Sequence, residues 1–146
     1  MKFIIKSFSE LTISELYDIL QLRSEVFVAE QDCVYQDLDG KDYKSLHILG
    51  FKKEKIIAYA RIFKPGDYFE NASIGRVVVK EIERKFGYGQ ELMNVSIKAV
   101  ETEFNEKKIT ISAQLYLKKF YESHGFIHVG KQYLEDGIPH IRMDKV

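Results

Sequence analysis

Apolar positions change their period along the chain, and each change marks a new element. The first stretch alternates around Phe3, Ile5 and Phe8, the two-residue period of a strand over Lys2–Phe8. Thr12 and Glu15 stand at capping-box spacing, where a hydroxyl and a carboxylate satisfy the unpaired amides of a helix start. Leu16, Ile19, Leu20, Arg23, Val26 and Phe27 then follow the helical period, so residues 13–29 form an amphipathic helix whose stripe has one polar break, at Arg23. From Glu30 to Ser45 the period lapses into a loop. Leu46–Lys52 and Ile56–Phe63 are apolar runs joined by Lys53-Glu54-Lys55, a hairpin with a polar turn, and Pro65-Gly66-Asp67 stops the second run. Ser73–Val79 is the next strand, in which Gly75 marks a bulge or a close backbone approach.

The second half repeats the alternation of strand and helix. Met93, Ile97, Val100 and Phe104 mark one face of a helix that runs to about Asn105, and Lys108–Gln114 is a strand. Leu117, Phe120, Tyr121 and His124 fall on one side of a shorter helix that Gly125 ends. Phe126–Leu134 and His140–Asp144 are the last two strands, hinged at Glu135-Asp136-Gly137-Ile138-Pro139. The order β-α-β-β-β-α-β-α-β-β predicts an α/β (α+β) chain, and 146 residues make one domain with a substantial core.

Composition and charge narrow the function. Hydrophobic residues are 45% of the chain and charged residues 30%, with no polar tract, so residues 1–146 are expected to fold nearly end to end. Twenty-two basic residues balance 22 acidic ones, which leaves no global field to attract nucleic acid. Phe3-Ile4-Ile5 is broken at Lys6, far too short for a signal segment or a membrane span, and points to a cytoplasmic location. The single Cys33 excludes an internal disulfide and a cysteine-rich metal site. Asp37-Leu38-Asp39-Gly40-Lys41-Asp42 invites a calcium reading, but glycine stands at the fourth position instead of the sixth and Ile48 stands where the bidentate Glu belongs. A solvated acidic loop, or a rim for a cationic substrate, fits better, and no metal is expected.

The chemistry concentrates in Ile74–Leu92, a buried strand, a short loop and a helix that opens on glycines. Such an opening presents unpaired amides and the positive end of the helix dipole to an anion, most simply a phosphate. Gly87-Tyr88-Gly89 lacks the third glycine of a dinucleotide turn, and no Gly-Lys-Ser/Thr follows as a P-loop requires. Arg84-Lys85-Phe86-Gly87-Tyr88-Gly89 instead resembles the R/Q-x-x-G-x-G/A signature of the GNAT superfamily of acetyl-CoA-dependent N-acetyltransferases. About thirty residues on, Phe120-Tyr121-Glu122-Ser123-His124-Gly125-Phe126 resembles that superfamily's second motif, F-Y-x-x-x-G-F. Leu22–Gln31, Ser112-Ala113-Gln114 and Glu135–Ile141 are similar to its ElaA-like branch, so the resemblance spans almost the whole chain.

That resemblance implies a GNAT fold, a mixed sheet of about seven strands flanked by three or four helices and splayed where acetyl-CoA binds. It implies direct acetyl transfer to a primary amine, either a small cationic compound or an amine on a peptide, by a monomer or homodimer. The alternative is a module that binds acyl-CoA without turnover. Backbone groups of Val77, Val78 and Val79 would hold the pantetheine, and Arg84, Lys85, Phe86, Gly87, Tyr88, Gly89 and Gln90 the pyrophosphate. Tyr121 occupies the position of the family's usual acid, which protonates the departing sulfur; packing in the core is its other reading. Many members carry a basic glutamate near the strand before the phosphate loop, yet Ile74–Val79 has none, which leaves Glu135, His47 and His140 as candidates. Glu30, Asp32, Asp37, Asp39, Asp42, Glu135 and Asp136 fall in segments that would line the acceptor side. They are either an acidic rim for a cation or loop charges balanced by Lys41 and Lys44.

Overall fold

The computed structural model describes residues 1–146. Seven strands, β1 (Lys2–Ser7), β2 (Leu46–Lys52), β3 (Lys55–Phe63), β4 (Ala72–Val79), β5 (Ile109–Gln114), β6 (Ile127–Glu135) and β7 (Ile138–Lys145), form one mixed sheet in the order β1-β2-β3-β4-β5-β7-β6. All neighbours are antiparallel except β4 and β5, which the crossover helix α2 (Tyr88–Phe104) makes parallel. Central β3 is buried along most of its length, which explains its nearly unbroken apolar run.

Period-two alternation divides the core between the two faces. Ile48, Ala58, Ala60 and Ile62 pack with Leu92, Met93 and Val100 of α2 and with Tyr121 of the short helix α3 (Lys118–Glu122). Leu49, Tyr59 and Val78 meet Ile19, Leu22 and Val26 on the opposite face, under α1 (Ile13–Arg23). The Thr12–Glu15 capping box starts α1 as its spacing predicts.

Three local departures bear on function. The expected helix over 13–29 is α-helical only to Arg23; Ser24–Glu30 is π-helical, with Gln31 N–H reaching the Val26 carbonyl at 3.2 Å. The wider turn brings both Val26 and Gln31 to the same cleft. The link after β4 is a 3₁₀ segment, Glu81–Phe86, and α3 is shorter than its apolar spacing suggests, with a 3₁₀ turn at Leu115–Leu117 before it. The bulge expected at Gly75 centres one residue later: Tyr59 pairs with Val78 and Arg61 with Gly75, so Arg76 and Val77 oppose Ala60 alone. Arg76, not the glycine, takes the positive φ of 50°.

Candidate active site

Parallel pairing of β4 and β5 lasts for two registers, Ala72 with Ile109 and Ser73 with Thr110. Beyond them the strands part, and the β5-facing edge of β4 is left without a strand partner. The opening is a cleft of about 360 Å³, lined by Ile74–Val79 of β4, Ser112 and Gln114 of β5, and Phe27, Glu30 and Gln31 of the π-helical segment, among others. Of the residues expected to bind the coenzyme, Val77, Val78, Val79, Arg84 and Gly89 line this cleft. Lys85, Phe86, Gly87, Tyr88 and Gln90 do not line it; Lys85 and Phe86 end the 3₁₀ segment, Gly87 joins it to α2, and Tyr88 and Gln90 are in the first turn of α2.

Gly87 precedes α2 with φ 75° and ψ 15°, a left-handed conformation that glycine adopts without steric penalty, and no side chain caps the helix. The first amides of α2 therefore stay available to an anion. Gly89 sits behind them with only the Phe120 ring 3.8 Å from where a Cβ would stand. Arg84 does something the motif does not reveal. Its Nε donates to the Val79 carbonyl at 2.9 Å, and its two terminal nitrogens grip the Glu30 carboxylate at 2.6 and 2.9 Å. The guanidinium thus ties the end of β4 to the π-helical segment.

The catalytic candidates separate. Tyr121 lines the cleft and also packs in the main core, edge-on to Phe120 and Phe126. Burial, with Tyr116 adding to it, pushes its phenol well above the ordinary value, so the hydroxyl keeps its proton. Glu135 and His140 line the cleft too, 3.3 Å apart between Oε2 and Nε2. His47 is not among the lining residues. Its Nε2 donates to the Asp42 carbonyl at 3.0 Å, its Nδ1 accepts from the Tyr59 hydroxyl at 2.6 Å, and burial lowers its pKa and keeps it neutral. This is a histidine that satisfies a buried network, outside the reach of the cleft.

The same network corrects the acidic rim. Asp37 accepts from Arg23 Nε at 2.9 Å and pairs with Arg76 at 2.7 Å. Asp42 accepts from Arg23 and Arg61 at 2.8 and 2.9 Å, and Asp39 takes both terminal nitrogens of Arg61 at 2.6 and 2.9 Å. Burial by itself would raise the carboxyls of Asp39 and Asp42, but the arginines override it and hold both below the usual range. With Glu30 on Arg84, these carboxylates face guanidinium groups and neither Lys41 nor Lys44 balances them. Asp32, Glu135 and Asp136 are the acidic positions of the expected rim that no arginine or lysine pairs with. Only the break at Arg23 hinted at the network, since a cation in an apolar stripe must find partners. Gln31 and Gln114 exchange side-chain amide bonds at 3.2 and 3.3 Å, and the Cys33 thiol donates to the Asp136 carbonyl at 3.3 Å, so the loop is fastened to β5 and the last hairpin.

A family profile described as "Acetyltransferase (GNAT) domain" matches residues 8–146. Over 137 residues the chain is 48% identical to protein ElaA of Escherichia coli, covering 92% of this chain and 90% of that protein. The crystal structure of E. coli ElaA superposes with a TM-score of 0.92 at 44% identity, covering 99% of each chain. That of an acyl-CoA N-acyltransferase from Pseudomonas aeruginosa gives 0.93 at 38% identity over 100% of both.

Proposed function

This chain belongs to the GNAT family and is an acyl-CoA-dependent acyltransferase, and from that premise we propose that it moves an acetyl group from acetyl-CoA directly to a primary amine. The observation that carries the reading is the parting of β4 from β5 beside the uncapped start of α2. An unpaired strand edge suits the amide-bearing pantetheine, and free helix amides suit a diphosphate. The donors present therefore fit the coenzyme. No helix is long and apolar enough to cross a membrane, and we place the reaction in the cytoplasm.

In this scheme Val77, Val78 and Val79 hold the pantetheine and supply a donor to the thioester carbonyl, where negative charge develops. The amides from Lys85 to Gln90 bind the pyrophosphate, and Arg84 holds the loop in shape through Glu30. Tyr121, protonated and facing the cleft, gives its proton to the departing sulfur. The acceptor amine, on a small molecule or a peptide, enters past the last hairpin, where Glu135 and Asp136 give a modest attraction for a cation.

A module that binds acyl-CoA without turnover is the second reading, favoured by the lack of any carboxylate between Ile74 and Val79. Calorimetry with acetyl-CoA, followed by thiol release over a panel of amines, decides between them. Turnover with at least one amine is expected; tight binding with none selects the module. Tyr121→Phe should bind acetyl-CoA normally and lose about 100-fold or more in kcat, the usual scale of general acid catalysis. Unchanged turnover would leave Tyr121 a core residue only.

A further inference from the structure

Resting on the acyl-transfer reading, the geometry points to Glu135 and His140 acting together as the proton acceptor for the incoming ammonium, with Ser112 and Tyr133 as positioning residues. The tight Asp136-Gly137 turn, with φ of 51° and 78°, folds β6 back on β7. Glu135 is brought opposite Ile138 and Tyr133 opposite His140. His140 Nδ1 lies 2.7 Å from the Ile138 carbonyl, which can only accept, so the ring proton is on Nδ1. In the neutral ring Nε2 then carries the lone pair, and it faces Glu135 Oε2 across 3.3 Å. Two lone-pair atoms aimed at each other with no hydrogen between them make a seat for one proton.

The rest of the arrangement holds the carboxylate in place. Ser112 Oγ is 3.2 Å from Glu135 Oε1 and 2.5 Å from the Tyr133 hydroxyl. A serine has one proton to donate, so Tyr133 donates to Ser112 and Ser112 donates to the carboxylate. The Tyr133 ring also stacks on His140 with 23° between the planes. Exposure divides the labour: the Glu135 side chain is 44% exposed and that of His140 only 8%, so the carboxylate reaches the acceptor and the imidazole backs it. Glu135, His140 and Ser112 line the same cleft as Tyr121. The carboxylate missing from β4 is thus supplied by the last hairpin.

The protons balance. The ammonium loses two in the whole reaction: one passes to the Glu135–His140 pair and on to solvent, which frees the nitrogen to attack. The carbon–nitrogen bond forms, the carbon–sulfur bond breaks, Tyr121 gives its proton to the thiolate, and the second nitrogen proton leaves to solvent, from which the phenol takes one back. Other charged or titratable groups around this cleft are Asp136 on the hairpin, Cys33 and Tyr35 on the loop, Glu30 and Arg84 at the coenzyme end, Tyr116 and Tyr121 beside and on α3, and Arg76, already paired to Asp37 and Asp39.

Glu135→Gln and His140→Gln, made in the full chain, test the assignment. Calorimetry should show unchanged acetyl-CoA affinity, while kcat at pH 7 falls about 100-fold. The deficit should shrink as pH approaches the amine's own pKa near 10, because an amine already free needs no base. Ser112→Ala and Tyr133→Phe should lower kcat by less, leave KM for the acceptor in place and shift the alkaline rise of the pH profile. A loss equal at every pH, or no loss, overturns the proposal. Imidazole NMR gives a readout that needs no acceptor: Glu135→Gln should change the His140 Nε2 resonance, because the atom facing it across 3.3 Å is no longer a carboxylate oxygen. An unchanged Nε2 resonance also overturns it. If the wild type acetylates no amine, the acyl-transfer reading fails by itself, and the NMR result still decides whether the two side chains face each other.

Discussion

The two banks of the cleft are built from different materials. The bank proposed for the coenzyme is backbone: the open edge of β4, the left-handed Gly87 and the first amides of α2, all within residues 74–92. The bank proposed for the acceptor is side chains, gathered from the π-helical segment, the loop after it, β5 and the β6–β7 hairpin, with partners up to 103 residues apart in sequence. Backbone amides suit a ligand that never changes, because every residue type supplies them and only glycine is needed where the chain must turn sharply or come close. Side chains suit a ligand that has to be selected, because their chemistry can be chosen position by position. They must be held in place by something, and here the holding is done by arginine–carboxylate pairs beneath the loop.

If that contrast is right, damage to the acceptor bank's foundation should cost stability, and damage to the coenzyme bank should cost binding. Asp42→Asn is the hardest test. It leaves the buried guanidinium groups of Arg23 and Arg61 short of a charge, and should destabilise the protein by about 3–5 kcal/mol in chemical denaturation. A loss below about 1 kcal/mol would mean the network is incidental to the fold.

On the other bank, Gly87→Val forces a branched side chain into a left-handed conformation, which should displace the amides that follow and weaken acetyl-CoA binding, at a side cost of about 1–2 kcal/mol of stability. Gly89→Val has an ordinary φ and only Phe120 for a neighbour, so the fold should stay near wild type while acetyl-CoA affinity drops about ten-fold. Full affinity in a folded Gly89→Val protein would remove the helix start from the coenzyme site.

The subtlest test is pH. His47 is buried and its folded pKa lies below the free value near 6.5, so the unfolded chain binds more protons between the two and stability falls as pH drops below about 6.5. Asp39 and Asp42, also depressed, add a second decline below about pH 4. Melting temperatures followed from pH 8 to pH 3 should show both, and His47→Gln should flatten the first. A single decline that the variant leaves in place would detach His47 from the network's energetics.

Sequence by itself determined the order of elements, the division of strand residues between two faces, the capping box of α1 and the glycine turn that opens α2. Each of these rests on interactions among residues a few positions apart, so period and spacing carry them. Tertiary structure decided the rest. Arg23 read only as a flaw in a stripe until β3, β4 and the loop supplied Asp37, Asp42 and their neighbours; the acidic loop read as a solvated rim until Arg61 and Arg76 came to meet it. Glu135 and His140 were separate candidates in the sequence, equal in standing to His47. The hairpin turn aimed one pair at each other inside the cleft, while the strand pairing of β2 with β3 turned His47 toward Tyr59 and away from it. Charges and lone pairs act through space with no period along the chain, and only the fold sets which of them face one another.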